Sequence, residues 1–214
     1  MNVLQICANP KPTEESVSKQ LLTTFFSTLV DKNPDIEMEM IDLYQERPPF
    51  LSYAGYRAVW NPIYDPEYEM TSEEEAALHY AKKHAEQINS ADVLVISTPM
   101  WNFGPPAVLK AWIDQVIAPN ITYRLIGPRV EPLHRLKKVV LLVSSGHSYK
   151  EDDPRDALTG NIRSVFEMIG VQNIDIAWAD KQSYQILAED CEEHKQWAMD
   201  MAVEIAEEVA ELEV

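Results

Sequence analysis

Hydrophobic positions along the chain fall into runs of two kinds, short β-prone stretches and longer stretches with helical spacing. Val3 to Ala8 is a compact β-prone run, and Asn9-Pro10-Lys11-Pro12-Thr13 after it is turn chemistry. From Ser16 onward, Val17, Leu21, Leu22, Phe25, Phe26, Leu29 and Val30 recur at the period of a helix with one buried face. Ile36 to Leu43 sets Ile36, Met38 and Met40 against Glu37 and Glu39, which predicts a strand exposed on one face and close to a sheet edge. Val93-Leu94-Val95-Ile96 and Val139 to Val143 show no alternation, so both are expected to be covered on two faces, in the middle of a parallel sheet. Between them Val108, Leu109, Trp112, Ile113, Val116 and Ile117 mark a helix opened by Pro105 and Pro106 and ended by Pro119.

Local signals predict three further helices. Thr71-Ser72-Glu73-Glu74-Glu75 is a capping box with acidic residues in the first turn, and predicts a helix to about Asn89. Leu158, Ile162, Val165, Phe166 and Ile169 predict a helix from about Arg155 with its C-cap at Gly170, before a last strand from Asn173 to Ala179. Trp197, Met201, Ala202, Ile205, Val209 and Leu212 predict a C-terminal surface helix packed by one face. Five strands alternating with five helices predict a doubly wound α/β fold over a single domain, 1–214, with strand order 2-1-3-4-5. The pattern dissolves once, from Tyr44 to Met70, where Tyr44, Phe50, Tyr53, Tyr56, Trp60, Tyr64 and Tyr68 lie in a proline-interrupted loop. A loop this long is expected to meet a partner chain or cover a ligand, or else to pack its aromatics on its own domain.

Composition narrows the choice of partner. The chain has 214 residues, 46% hydrophobic and 25% charged, which suits one soluble globular domain, and no apolar run approaches the roughly 18 residues of a membrane span. Met1 to Ile6 reads as a first strand and not as a signal peptide, so a cytoplasmic protein is expected. Cys7 and Cys191 form no metal-binding spacing and are expected to be buried, inert thiols, with no metal site. A net charge of −17 argues against nucleic acid and anionic membranes as partners. Any anionic ligand must therefore be held by backbone N–H groups, hydroxyls and a helix N-terminus.

In a sheet of this order, ligands sit beyond the carboxyl ends of the strands, at the switch point between strands one and three. Three polar loops arrive there: Asn9 to Ser18, Pro99 to Gly104 and Ser144 to Ser148. In the first, Ser16 and Ser18 at a helix start suit a phosphate, although Ser16 is equally explained as a plain N-cap. In the second, Met100, Trp101 and Phe103 supply apolar surface while Asn102 and backbone amides supply donors and acceptors. That mixture suits a flat heteroaromatic ring; the alternative is a core turn with its aromatics facing inward.

These three loops, together with Leu109-Lys110-Ala111-Trp112-Ile113-Asp114, Thr122-Tyr123-Arg124 and Lys137-Lys138, resemble the FMN-dependent NADH:quinone oxidoreductases, also called azoreductases. The resemblance runs from Val3 to about Ala179, with the second loop its most specific element. It implies a flavodoxin-like three-layer homodimer with FMN at the subunit interface, reduced by NADH or NADPH in a ping-pong cycle and reoxidised by quinones or azo compounds. The phosphate-binding residues it implies are Asn9, Ser16, Val17 and Ser18; the ring-binding residues are Pro99, Met100, Trp101, Asn102 and Phe103, with Ser144, Ser145, Gly146 and His147 opposite. Trp101 replaces the family's usual tyrosine, Asn9 its first phosphate serine, and Ser144-Ser145-Gly146-His147 its common Ser-Arg-Gly-Gly.

No catalytic side chain is strictly required, because the cofactor carries the chemistry. His147 is a candidate to donate a hydrogen bond to the reduced flavin or a proton to a quinone oxygen. The main alternative function is a flavodoxin-like binding or regulatory protein without turnover. The chain has no GxSxG elbow, GxGxxG, P-loop or HExxH, so a hydrolase, a separate dinucleotide domain, an NTPase and a zincin are unsupported.

Overall fold

A computed structural model describes residues 1–150, 153–182 and 190–213. Five parallel strands form the main sheet: β1 (Asn2–Cys7), β2 (Glu37–Asp42), β3 (Val93–Pro99), β6 (Lys138–Ser144) and β7 (Ile174–Ala179), in the order β2-β1-β3-β6-β7. This is the expected 2-1-3-4-5 order, renumbered because an antiparallel hairpin, β4 (Tyr123–Ile126) and β5 (Arg129–Pro132), precedes the last two strands. The hairpin turns at Gly127, φ 59°, a backbone region that glycine enters at no steric cost.

β3 and β6 are buried at every position, as their unbroken apolar runs predict. Alternate residues enter two cores. On one side Val3, Val93, Val95, Val140 and Leu142 meet Leu21, Phe25 and Leu29 of α1 (Val17–Lys32) and Ala198, Ala202 and Ile205 of α7 (Cys191–Ala210). On the other, Leu4, Ile6, Leu94, Ile96, Leu141 and Val143 meet Leu109, Trp112 and Val116 of α5 (Ala107–Val116) and Ile162 and Phe166 of α6 (Thr159–Met168). Each fully buried Val, Leu or Ile contributes about 1.5–3 kcal/mol of transfer free energy. Lys138 opens β6 almost wholly buried and is satisfied by Asp175 and Glu208, joining β6, β7 and α7 through one ammonium.

Several expectations are corrected. The segment 44–70 is not structureless: Tyr53–Tyr64 is helix α2, capped by Ser52, whose Oγ accepts the Gly55 N–H at 3.0 Å. Its Ala58 and Val59 pack on Leu78, Ala81 and Ala85, while Tyr53, Tyr56 and Tyr64 stay exposed. The helix predicted from Thr71 to Asn89 is split at Leu78 into α3 (Ser72–Ala77) and α4 (His79–Ser90), although its capping box forms as expected between Thr71 and Glu74. The Glu74 carboxylate also accepts the Tyr68 hydroxyl at 2.8 Å and lies 2.9 Å from Arg57 Nε, which ties α2 to α3. β2 is an edge strand as predicted, but Met38 and Met40 are 53% and 65% exposed, so its alternation buries neither face fully. In α7 the buried stripe is Cys191, Ala198, Ala202, Ile205, Ala206 and Val209, and Trp197 points to solvent; the alanines allow close approach to the sheet. α6 begins at Thr159, not near Arg155, because Asp156 Oδ1 accepts the N–H groups of Leu158 and Thr159 and places the cap there. Gly170 closes that helix as expected, with φ 103°.

Burial disfavours the charged form of two histidines, His84, which is wholly buried, and His134, which is half-buried. The His134 Nδ1 accepts the Leu136 N–H at 3.2 Å and its Nε2 lies 3.1 Å from the Ile169 carbonyl, so the bonded tautomer carries its proton on Nε2. His84 is fully enclosed, stacked against Tyr80 with ring centroids 4.1 Å apart. Burial is the main cause that pulls both imidazoles below their usual 6.5. The unfolded chain therefore takes up protons first as pH falls, so stability is full above about 6.5 and declines from there toward the lowered folded values. Urea midpoints measured from pH 8 to 5 are expected to drop through this window. The drop should shrink in His134→Gln, which can donate to Ile169 but cannot ionise; an unchanged profile would remove His134 from the account.

Candidate active site

β1, β3 and β6 are neighbours and in register, with Cys7 paired to Ser97 and Pro99 to Ser144, so the loops at their carboxyl ends open on one edge. The crossover from β2 to β3 reverses direction at β1, which puts the switch point between β1 and β3.

The first loop leaves β1 with the Ala8 N–H bonded to the Ser97 carbonyl at 2.9 Å, then turns through a short 3-10 segment, Thr13–Glu15, into α1. Ser16 is the N-cap, its Oγ accepting the Lys19 N–H at 3.2 Å, so the bland explanation of that serine is correct. It is also incomplete. The Asn9 Nδ2 donates to Ser16 Oγ at 2.7 Å and to Ser18 Oγ at 3.1 Å, and the two hydroxyls lie 3.3 Å apart. All three side chains are buried, and the Lys11 N–H on Asn9 Oδ1 fixes the amide's orientation. The Val17 and Ser18 N–H groups, in the first turn, have no intrahelical acceptor. The result is a neutral, buried, hydrogen-bonded cluster at a helix N-terminus, anchored to β3 by the Ser97 hydroxyl on the Ser18 carbonyl at 2.9 Å.

The second loop is a tight hairpin. Trp101 and Gly104 exchange both N–H···O bonds, at 2.9 and 3.0 Å, around Asn102 (φ 48°) and Phe103 (φ 68°). Positive φ at both central positions is the geometry of a type I′ turn, easy for asparagine and strained for phenylalanine. Met100 is buried, whereas Trp101 and Phe103 are 43% and 49% exposed, so the inward-facing alternative for this loop is excluded. The apolar surface of these two rings stands at the sheet edge with the backbone amides of the turn beside it.

The third loop is held from below. The Met100 N–H donates to the Ser144 carbonyl at 2.8 Å, coupling it to the second loop. Ser145 is buried with its hydroxyl committed inside the protein: Trp178 Nε1 donates to it at 2.8 Å and it donates to the His147 carbonyl at 2.7 Å. Its side chain is a brace and its backbone is spent as well, the N–H on the Ala179 carbonyl at 3.0 Å and the carbonyl on the Gln182 N–H at 2.9 Å, so what this loop can offer a ligand is the backbone at Gly146. Gly146 is half-buried and His147 exposed at the loop tip. Glu151 and Asp152, in the acidic stretch after Ser148, lie outside the described residues. Cys7 and Cys191 are buried and unbridged, with burial pushing both thiols above their usual pKa, as inert cysteines should be. Among the described residues no cluster of His, Cys, Asp and Glu could hold a metal ion, and no helix is long and apolar enough to cross a membrane.

Three aromatic and cationic side chains at this edge went unnoticed in the sequence. Tyr149 meets Phe103 edge-on, stacks on Trp178, and lies beneath the Arg155 guanidinium. Their signal was faint: single aromatic residues at a loop and a strand end, with no period to mark them.

Residues 1–201 match the family model described as the flavodoxin-like fold. An FMN-dependent NADH:quinone oxidoreductase of Clostridium beijerinckii is 31% identical over 204 residues, covering 95% of this chain and 97% of that protein. One from Coprothermobacter proteolyticus is 30% identical over 210 residues, covering 96% and 98%. The crystal structure of an azoreductase from Bacillus anthracis superposes with a TM-score of 0.85 at 25% identity, covering 97% of this chain and 99% of that one. A further azoreductase structure from that species, in complex with FMN, has the same fold, with a TM-score of 0.83 at 24% identity. With the strand order, the switch-point loops and the full-length matches in agreement, the chain belongs to the flavodoxin-like fold family, among its FMN-dependent NADH:quinone oxidoreductases.

Proposed function

We propose that this oxidoreductase holds FMN across the carboxyl edge of β1, β3 and β6, takes a hydride from NADH or NADPH, and passes two electrons to a quinone or azo compound in a separate half-reaction. The observation that carries this reading is the pairing, at one switch point, of the neutral Asn9–Ser16–Ser18 cluster at a helix N-terminus with an exposed aromatic turn. The donors suit a dianionic phosphate in a chain of net charge −17, because amides and hydroxyls bind it without needing a basic patch. FMN, when bound, supplies the two-electron chemistry.

What the chain itself does is bind and orient. Asn9, Ser16, Ser18 and the Val17 amide hold the phosphate. Pro99, Met100, Trp101, Asn102 and Phe103 wall the ring and offer amides to its hydrogen-bonding edge, and Trp101 and Phe103 exclude water from that side. Ser144 to His147 line the opposite side through their backbone. No side chain need bond to substrate; His147, exposed at the tip of the third loop, is the candidate to donate a ring N–H to the flavin edge or a proton to an acceptor oxygen. The sheet is taken as the middle of a doubly wound three-layer sandwich in a single domain, 1–214, a reading supported by the two cores on its faces. The exposed Phe50, Tyr53, Tyr56 and Tyr64 of the 44–70 segment, with Trp101 and Phe103, support a homodimer in which this segment meets the partner or roofs the flavin. A cytoplasmic location fits the two free thiols.

Purified protein, or apoprotein given FMN, is expected to be yellow, to bleach anaerobically on adding NADH or NADPH, and to recolour on adding a quinone. Light scattering on the same sample should give twice the chain mass. Protein that takes up no FMN would end the enzyme assignment in favour of a binding protein without turnover, and a monomer that keeps its flavin would end the dimer alone.

A further inference from the structure

Phe103 occupies a backbone conformation that a bulky L-residue rarely adopts, so something beyond its own turn must hold it there. Two contacts do, and both come from the third loop and the residues just beyond it. The Ala157 N–H donates to the Phe103 carbonyl at 2.9 Å. The Phe103 ring stands edge-on to Tyr149, centroids 6.4 Å apart at 88°. Tyr149 in turn is stacked on Trp178 at 5.6 Å and 21°, with the Arg155 guanidinium 5.6 Å from its ring centroid. Arg155 is itself aimed by Asp153, which receives it at Oδ1 and Oδ2 at 3.0 and 2.7 Å. Trp178 Nε1 reaches Ser145 Oγ at 2.8 Å, and Ser145 Oγ reaches the His147 carbonyl at 2.7 Å. One unbroken chain of contacts thus runs from the strained turn of the second loop, through Tyr149, to the backbone of the third.

We infer that Tyr149 is a positioning residue that sets the second loop against the third, and with them the hydrogen-bonding edge offered to the flavin ring; the inference rests on the FMN reading above. The physical content is that neither loop is rigid by its own bonds alone. The turn at Asn102-Phe103 is closed by two hydrogen bonds but strained, and the third loop owes its shape to a hydroxyl that answers to Trp178. Beside the backbone bond from the Met100 N–H to the Ser144 carbonyl, Tyr149 is the side-chain link, joining the Phe103 ring to Trp178, which holds Ser145. Its ring and not its hydroxyl makes the edge, face and cation contacts, so phenylalanine should replace it and an aliphatic residue should not. The amides of Asn102 and Phe103 in the turn and of Gly146 in the third loop are the donors that would meet charge developing at the ring edge on reduction; the Ser145 N–H is already bonded to the Ala179 carbonyl at 3.0 Å. Loosening their relative position should therefore alter the flavin's potential as well as its affinity.

The test uses the full-length apoprotein, FMN alone as the ligand, and Tyr149→Ala, Tyr149→Leu and Tyr149→Phe. FMN affinity is read by quenching of flavin fluorescence, the potential of the bound flavin by equilibration with redox dyes, and apoprotein stability by thermal melting. Tyr149→Ala and Tyr149→Leu are expected to weaken FMN about ten- to fiftyfold and to shift the potential, from the loss of one edge-to-face pair, one stack and one cation–π contact. Tyr149→Phe should match the parent in both. Leucine keeps apolar volume, so it holds the test open if alanine unfolds the loop. Unchanged affinity and potential in Tyr149→Leu would overturn the inference, and so would a Tyr149→Phe defect as large as that of Tyr149→Leu. Parent protein that binds no FMN would instead overturn the cofactor reading, a result visible before any variant is made.

Discussion

Ser16→Asp is expected to yield a folded protein that has lost FMN, with affinity lowered about a thousandfold. Ser16 is an N-cap whose side chain accepts the Lys19 N–H, and aspartate is an equally good cap that also favours the positive end of α1. Its carboxylate would moreover accept from Asn9 Nδ2, the donor that now serves the hydroxyl at 2.7 Å. Apoprotein stability should therefore barely change. At the proposed phosphate site the same carboxylate would replace a donor by a charge of the phosphate's own sign. Two unit charges about 4 Å apart interact at about 4 kcal/mol under an effective dielectric of about 20, which is about three orders of magnitude in affinity. Ser16→Ala is the graded control: it loses the cap and one donor, and should cost about tenfold. Fluorescence titration with FMN and thermal melting of the apoprotein are the two measurements. A yellow Ser16→Asp protein with near-parental affinity would mean that the phosphate does not lie at this helix start.

The largest expected effect on stability is that of Trp112→Ala, at about 3–5 kcal/mol. Trp112 is wholly buried on α5, the helix that leads out of the second loop, and shares a core with Leu94, Ile96, Met100, Leu141 and Val143. For a chain of this length, about 4 kcal/mol corresponds to a fall of about 10 °C in melting temperature. Trp112→Phe should cost less than about 1.5 kcal/mol, because the indole Nε1 has no hydrogen-bond partner among the described residues and phenylalanine sheds that unpaired donor while filling most of the space. Urea unfolding of the two variants checks the contrast; equal losses would mean that the indole N–H is satisfied after all.

Legibility in the sequence tracked how much each element depends on its own neighbours in the chain. β3 and β6 were readable because a strand covered on both faces must be apolar at every position, whatever covers it. The capping box at Thr71 and the glycine cap at Gly170 were readable because they are closed by residues three or four apart. α2 was not, because Pro62 and its exposed tyrosines obscure the helical period, and what anchors it, Arg57 and Tyr68 on Glu74, becomes visible only after folding. The β4–β5 hairpin was missed because its four-residue strands are largely exposed and leave no apolar pattern. Met38 and Met40 show the converse: alternation marks which residues share a face, and cannot say whether anything covers it.

By itself the sequence determined the sheet, its order and the edge where the three loops meet. These rest on periodicity and on local hydrogen-bonding rules, which act over a few residues. Only the tertiary structure decided that Trp101 and Phe103 face outward, that Asn9 bonds both Ser16 and Ser18, and that Ser145 is a brace bonded to Trp178. Asn9 and the two serines are only 7 and 9 residues apart but meet across the turn between β1 and α1, whereas Trp178 and Ser145 come from parts of the chain 33 residues apart. The direction in which a side chain points, and which hydroxyl is left for a ligand, are settled by partners that only the closed fold supplies.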